Sequence, residues 1–77
     1  VDPNHSDALN ALAWFLVVSK DPALLDYPWA IKLAKRSIAL NENKYNLDTL
    51  AVAYFKNGQY GEAVKTQERI IAFWKAN

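Results

Sequence analysis

One pattern of leucine and alanine occurs twice in this chain, and it constrains the fold more than any other feature of the sequence. The two copies read Leu9-x2-Leu12-Ala13-x2-Leu16 and Leu47-x2-Leu50-Ala51-x2-Tyr54. A second pattern, an alanine, a β-branched apolar residue and a lysine followed four residues later by an arginine, begins at Ala30 and recurs at Ala63. Apolar residues three and four positions apart form one face of a helix. The order of the patterns therefore predicts two copies of a helical pair, in which each pair must stack on a neighbour to bury its apolar face.

Proline, glycine and polar clusters divide the chain into four segments with this helical spacing. We expect helices over about residues 6–19, 26–40, 45–57 and 60–75. Asn4 or Ser6 is expected to cap the first helix, and Gly58 to end the third, because glycine accepts left-handed backbone geometry. No stretch alternates with period two, and the connections after the first and third helices are short. The sequence therefore predicts an all-α fold of tandem antiparallel helical hairpins.

The second pair of helices resembles the tetratricopeptide repeat. The residues that carry the resemblance are Leu47-x2-Leu50-Ala51-x2-Tyr54, Gly58, Tyr60 and Ala63. Small Ala51 and Ala63 let the two helices approach closely, while Leu50 and Tyr54 fill the space around them. The family usually has an aromatic residue where this chain has Gln67, and alanine where it has Ile70. The first pair is similar to the same repeat with about five extra residues between its helices, and residues 1–4 resemble the end of a preceding repeat.

The resemblance implies a right-handed α-solenoid segment of four helices that forms a single domain over residues 1–77. Repeat one would span about residues 6–41, with the insertion between its helices, and repeat two about residues 45–76. Two repeats are fewer than the roughly three that such stacks usually need. The chain also begins at Val1 rather than Met, so we expect it to be a piece of a longer array.

In tetratricopeptide stacks the first helix of each pair lines a concave groove that binds peptides, so the resemblance implies a peptide- or protein-binding module. Some side chains of the first and third helices are not needed to pack the two helices of each pair, and we expect them to line the groove. They are Asn10, Trp14 and Val17 on the first helix, with Asp7 beside them, and Tyr45, Asp48, Val52 and Phe55 on the third. An aromatic anchor supplies much of the affinity at such a surface. Packing of Trp14 and Phe55 against a neighbouring repeat fits the sequence equally well.

Some members of the family hold a partner's C-terminal carboxylate with asparagines and lysines along this groove. This sequence has Asn10, but Trp14, Asp48 and Thr49 stand where further Asn and Lys residues are expected. We therefore expect no carboxylate clamp. The negative charge of Asp48 favours a basic or neutral ligand instead.

No pattern in the sequence predicts catalysis, a metal or a cofactor. Cysteine is absent, which excludes disulfides, thiolate metal sites and catalytic thiols. Residues 5–7 contain the residue types of a hydrolase triad, but adjacent residues cannot converge on a substrate, so a polar helix start is the better interpretation. Residues 2–13 begin like a calcium-binding loop but lack its glycine and its bidentate glutamate. We predict a non-catalytic chain.

Charge and hydropathy argue against nucleic-acid and membrane partners. The net charge is +1, and the cluster of Lys32, Lys35 and Arg36 on one side of the second helix is expected to be a solvated face. The longest apolar run, residues 11–18, is far shorter than the roughly 20 residues that span a bilayer. No basic stretch typical of a signal peptide precedes it. We expect a soluble chain, and the sequence leaves its compartment open.

Two other functions remain as alternatives. Apolar residues cover several sides of the last helix, namely Ile70, Ile71, Phe73 and Trp74. Because one hairpin partner cannot bury all of them, this face is expected to bind a neighbouring repeat, another domain or a second copy of the chain. Self-assembly into homo-oligomers is therefore the first alternative. The second, an accessory repeat domain of a larger enzyme, rests on analogy alone.

Overall fold

The computed structural model describes residues 5–76, which form four α-helices and no strand. The helices are α1 (Ser6–Val18), α2 (Tyr27–Leu40), α3 (Lys44–Lys56) and α4 (Tyr60–Ala76), and a short 3-10 helix, Pro22–Leu24, lies between α1 and α2. The all-α prediction is confirmed. Each predicted helix end lies within about one residue of the observed end, which is the usual uncertainty of a helix boundary.

The four helices pair as two hairpins. α1 packs on α2 and α3 packs on α4, while α3 also contacts both helices of the first hairpin. Eight residues, 19–26, connect α1 to α2, whereas three residues, 57–59, connect α3 to α4, so the first connection is five residues longer, as expected. The backbone N–H of Asp26 donates to the carbonyl of Leu16 at 3.0 Å, which ties the long connection back to α1.

The end of α3 has the geometry that its sequence predicts. Gly58 has a φ of 79°, in the left-handed region that favours glycine. The N–H of Gly58 donates to the carbonyl of Phe55 at 3.1 Å, and the N–H of Gln59 donates to the carbonyl of Tyr54 at 2.8 Å. This pair of bonds satisfies carbonyls that a helix end otherwise leaves free, and it reverses the chain direction toward α4.

The start of α1 differs from the prediction. Its cap is His5, whose Nδ1 accepts a hydrogen bond from the N–H of Ala8 at 3.2 Å. Ser6 was expected as a cap but is the first residue of the helix, and its hydroxyl bonds to residues of α2 and α3 instead. The alternative cap, Asn4, and the repeat-like residues 1–4 lie outside the described residues.

Small residues form the contact surfaces between the helices. The core contains several alanines with almost no exposed area, namely Ala13, Ala30, Ala34 and Ala53. Larger apolar side chains fill the space around them, including Leu16, Ile31, Leu50 and Tyr54. An alanine lets two helix backbones approach more closely than a larger residue would, because interaxial distance depends on the side chains at the contact. The core therefore lies where α3 packs on α1 and α2.

Val17 is buried, which corrects the prediction that it lines a binding groove. Its side chain is 2% exposed and belongs to the core cluster with Ile31, Leu50 and Tyr54. Val17 follows Ala13 by four residues, so the two side chains lie on one face of α1. That face packs against α2 and α3. Val17 therefore stabilises the contact between the hairpins and is not available to a ligand.

A buried polar network joins three helices at one edge of the core. Ser37 Oγ donates to the carbonyl of Ser6 at 3.0 Å, and Ser6 Oγ lies 3.1 Å from the carbonyl of Ser37. Asn46 Nδ2 donates to Ser6 Oγ at 2.9 Å and to the carbonyl of Asn41 at 2.7 Å. Ser37 and Asn46 are fully buried and cannot bond to water, so these hydrogen bonds satisfy their polar groups.

Candidate functional site

Four of the predicted site residues line one open cavity between α1 and α3. Asn10 and Trp14 come from α1, and Tyr45 and Asp48 come from α3. The cavity has a volume of about 270 Å³, and Ala11 and Thr49 complete its lining. We call this surface the α1–α3 groove. It unites residues from equivalent helices of the two hairpins, as the sequence predicts.

Helical spacing explains why these side chains share a surface. Asn10 and Trp14 are four residues apart on α1, and Tyr45 and Asp48 are three residues apart on α3, so each pair lies on one face of its helix. Thr49 is 4% exposed and its Oγ1 donates to the carbonyl of Tyr45 at 3.1 Å, so its hydroxyl is not accessible to a ligand. The polar groups that the groove offers a ligand are therefore those of Asn10, Asp48 and Tyr45.

Aromatic surface is accessible in the α1–α3 groove. Trp14 is 41% exposed, and Tyr45 is more exposed still. Lys44 Nζ lies 5.3 Å from the centroid of the Tyr45 ring and 4.1 Å from that of Trp74 in α4, which is within the range of cation–π attraction. Tyr45 is thus shared between the groove and Lys44, whereas Trp14 is free to contact a ligand.

Asn10 has unused hydrogen-bonding capacity. Its Oδ1 is buried, and among residues 5–76 it has no hydrogen-bond partner. A buried acceptor without a donor costs about 1–3 kcal/mol relative to a bonded one. Asn10 also lines the α1–α3 groove, and its side-chain amide carries hydrogen-bond donors as well as this acceptor.

The other two predicted site residues, Val52 and Phe55, line a different cavity. This cavity lies between α3 and α4 and has a volume of about 590 Å³. Its lining is mainly apolar and includes Ala51, Val52, Phe55, Tyr60, Ala63, Val64, Gln67, Glu68 and Ile71. We call this surface the α3–α4 groove. The residues predicted to line a single groove therefore line two. Tyr45 and Asp48, in the first half of α3, lie beside α1, whereas Val52 and Phe55, in the second half, lie beside α4.

Comparisons of the chain with models of protein families, with curated proteins and with solved structures find no match. The two grooves and the charges around them are therefore the basis for inferring a function.

The sequence predicts that apolar residues of the last helix are left open, and Ile71 and Trp74 are exposed, but the other contributions of α4 to these surfaces were missed. Val64, Gln67 and Glu68 line the α3–α4 groove, and Trp74 lies against Lys44 at the start of α3. The second contact could have been found from the hairpin itself, because the end of α4 must return to the start of an antiparallel α3. Asp7, which was placed beside the predicted groove, is exposed and does not line either groove.

Two exposed basic residues of α4, Lys65 and Arg69, have acidic partners. Lys35, Lys65 and Arg69 line a third cavity of about 450 Å³, to which α2, α3 and α4 contribute residues. Arg69 Nη2 lies 2.9 Å from Glu42 Oε1, and Lys65 Nζ lies 3.9 Å from Glu62 Oε1. Two of the three positive charges that line this cavity therefore have an acidic partner.

Residues 5–76 contain no group of three or more His, Asp or Glu side chains that could hold a metal ion. Over the same range, no helix has the length and apolar character needed to cross a membrane.

Proposed function

We propose that the chain is a pair of tetratricopeptide-like hairpins that binds a peptide or protein segment in the α1–α3 groove. The observation that carries this proposal is the convergence of Asn10, Trp14, Tyr45 and Asp48 on one open surface. Asn10 and Asp48 occupy equivalent positions in the two copies of the repeat, so each hairpin contributes one polar side chain from the same place in the pattern. Aromatic side chains beside a few polar groups are typical of peptide-binding surfaces.

The packing of the hairpins supports the family part of the proposal. Ala13 and Ala30 of the first hairpin, and Ala51 and Ala63 of the second, are buried at matching positions. In backbone layout, the hairpins differ in the length of the connection between their helices and in the length of the second helix. Repeat architectures place such insertions in loops and keep the helix contacts unchanged.

The chemistry of the α1–α3 groove favours a neutral or basic ligand with an apolar side chain. Trp14 offers a flat apolar surface, and Asp48 supplies the negative charge of the lining. Its volume of about 270 Å³ is slightly below the usual range of ligand-site volumes, so it accepts one large side chain rather than a whole peptide. We therefore expect one apolar anchor residue on Trp14, followed by a Lys or Arg near Asp48.

Peptide selection tests the proposal. Peptides that bind the full chain are selected from a random displayed library, and the affinity of each is measured by calorimetry for the chain and for two variants. Trp14→Ala removes the aromatic anchor, so we expect a loss of affinity of about tenfold or more. Trp29→Ala is the matched control, because Trp29 is similarly exposed but lies on α2 outside both grooves.

Circular dichroism of each variant confirms that its helices are intact. Selected peptides whose affinity is unchanged by Trp14→Ala, or reduced equally by Trp29→Ala, contradict binding in the α1–α3 groove. Asp48→Lys adds a charge test in the same series: peptides with a Lys or Arg beside the anchor should lose affinity, and uncharged ones should lose less.

A further inference from the structure

The α3–α4 groove has a counterpart in the first hairpin, because the two hairpins share one sequence pattern. Alignment of the two copies pairs Phe55 with Val17, and Val64 with Ile31. Val17 and Ile31 are 2% and 8% exposed, whereas Phe55 and Val64 are each 59% exposed. Equivalent faces are thus buried in the first hairpin and open in the second.

A helix covers this face in the first hairpin. Leu50, Ala53 and Tyr54 of α3 pack in the same cluster as Val17 and Ile31. Within residues 5–76, no helix takes the equivalent place on the second hairpin. The first hairpin therefore shows what kind of structure such a face accepts, namely one α-helix that contributes apolar and small residues.

The charge at the border of this face is reversed between the hairpins. Lys35 Nζ lies 5.7 Å from the centroid of the Tyr54 ring, so Lys35 contacts the covering helix. The counterpart of Lys35 is Glu68, the charged residue in the lining of the α3–α4 groove. In the described range, no cation lies within ion-pair distance of Glu68. A helix in this groove would place its equivalent of Tyr54 near a carboxylate, where Lys or Arg is favoured.

We propose that the α3–α4 groove binds an amphipathic α-helix of a partner protein, with its apolar face on Phe55 and Val64 and a Lys or Arg facing Glu68. A second copy of this chain is a poorer occupant. The helix that would dock in the manner of α3 is α1, which contains no Lys or Arg. Leu16 stands there at the position of Tyr54, and it gives Glu68 no opposite charge.

Two synthetic helices test the proposal. Each has the sequence of residues 44–56, the segment that covers the first hairpin, with a hydrocarbon link between positions 48 and 52 to hold it helical. One carries Tyr54→Lys and the other Tyr54→Glu. We expect the first to bind the full chain about fivefold more tightly than the second, because a partly exposed pair of opposite charges is exchanged for a repulsive pair.

Charge reversal on the protein is the decisive comparison. Glu68→Lys should reverse the order of affinity of the two helices. Glu62→Lys is the matched control, since Glu62 is an exposed carboxylate of α4 outside the α3–α4 groove, and it should leave the order unchanged. Val64→Asp should abolish binding of both helices, and circular dichroism should show an intact fold because Val64 is exposed.

Three outcomes would overturn the proposal. The first is equal affinity of the two helices for the unmodified chain, and the second is absence of binding at millimolar concentration. The third is self-association that Val64→Asp abolishes, without binding of either helix, which would identify a second copy as the occupant. Trp14→Ala should not affect this binding, whereas it should weaken peptides in the α1–α3 groove, so the two proposals can fail separately.

Discussion

At the scale of single residues, the side chain of Asn46 links parts of the fold that are distant in sequence. Its amide donates to Ser6 at the start of α1 and to the backbone carbonyl of Asn41 after α2. Asn46 itself is 1% exposed, so water cannot replace these acceptors if its amide loses them. The positions of three helices are therefore fixed relative to one another by one amide group as well as by apolar packing.

Asn46→Ala should lower the free energy of unfolding by about 1–3 kcal/mol, because it leaves the carbonyl of Asn41 without this donor and removes buried contacts. Asn10→Ala is the control. Asn10 Oδ1 has no hydrogen-bond partner to lose, so its removal should leave stability unchanged or raise it by up to about 1–3 kcal/mol. Urea unfolding followed by circular dichroism measures both changes. Equal losses in the two variants would contradict the role given to Asn46.

At the scale of the elements, the end of α3 depends on one backbone conformation. Gly58 adopts a positive φ, and a Cβ added there would meet no atom within 4 Å. A Cβ added at Gly61, in the first turn of α4, would likewise meet none, but Gly61 has ordinary helical geometry. The two glycines thus differ in backbone strain and not in the space around them.

Alanine substitution should therefore have opposite effects at the two glycines. Gly58→Ala should destabilise the fold by about 1 kcal/mol, the cost of left-handed geometry for a residue with a side chain. Gly61→Ala should leave stability unchanged or raise it by up to about 1 kcal/mol, because alanine is the better helix former. Thermal and urea unfolding of both variants provide the measurement. A loss of stability for Gly61→Ala as large as that for Gly58→Ala would contradict the view that the backbone φ, and not the space for a side chain, determines the effect.

The helices themselves could be predicted because their signals are local. Asp26 caps α2 through a hydrogen bond from the N–H of Trp29 at 3.1 Å, and Gly58 ends α3, and both signals can be recognised within a few residues. The role of Ser6 was not predictable in this way. Its partners on α2 and α3 are far away in sequence, so its helical position and its network follow only from the packing of three helices.

At the scale of the whole molecule, the two hairpins present equivalent faces in different environments. Ala34 of the first hairpin is 0% exposed under α3, whereas its counterpart Gln67 is exposed in the α3–α4 groove. Periodicity within one helix cannot show this difference, because the same pattern occurs in both. The periodicity also does not predict that Val17 is buried and Phe55 exposed, because the burial of each depends on whether another helix packs on its face.

Substitution by leucine at Ala34 and at Gln67 should have different effects on stability, because one position is buried and the other exposed. Ala34→Leu forces extra volume between α2 and α3 and should cost about 1–3 kcal/mol of stability. Gln67→Leu adds apolar surface to an open groove and should change stability by less than about 0.5 kcal/mol. Chemical unfolding of the two variants tests this prediction. A large loss for Gln67→Leu would mean that the α3–α4 groove is not open in the folded chain.

The unequal lengths of the two hairpin connections show where the sequence of such a chain can gain residues during evolution. Closing a hairpin with residues 19–26 rather than residues 57–59 costs less than about 1 kcal/mol of loop entropy. Asp21 and Asp26 accept hydrogen bonds from the N–H groups of Ala23 and Trp29, which order the added residues without involving the core. The turn after α1 is therefore a place where new sequence can be inserted and selected while the helix contacts of the first hairpin are kept.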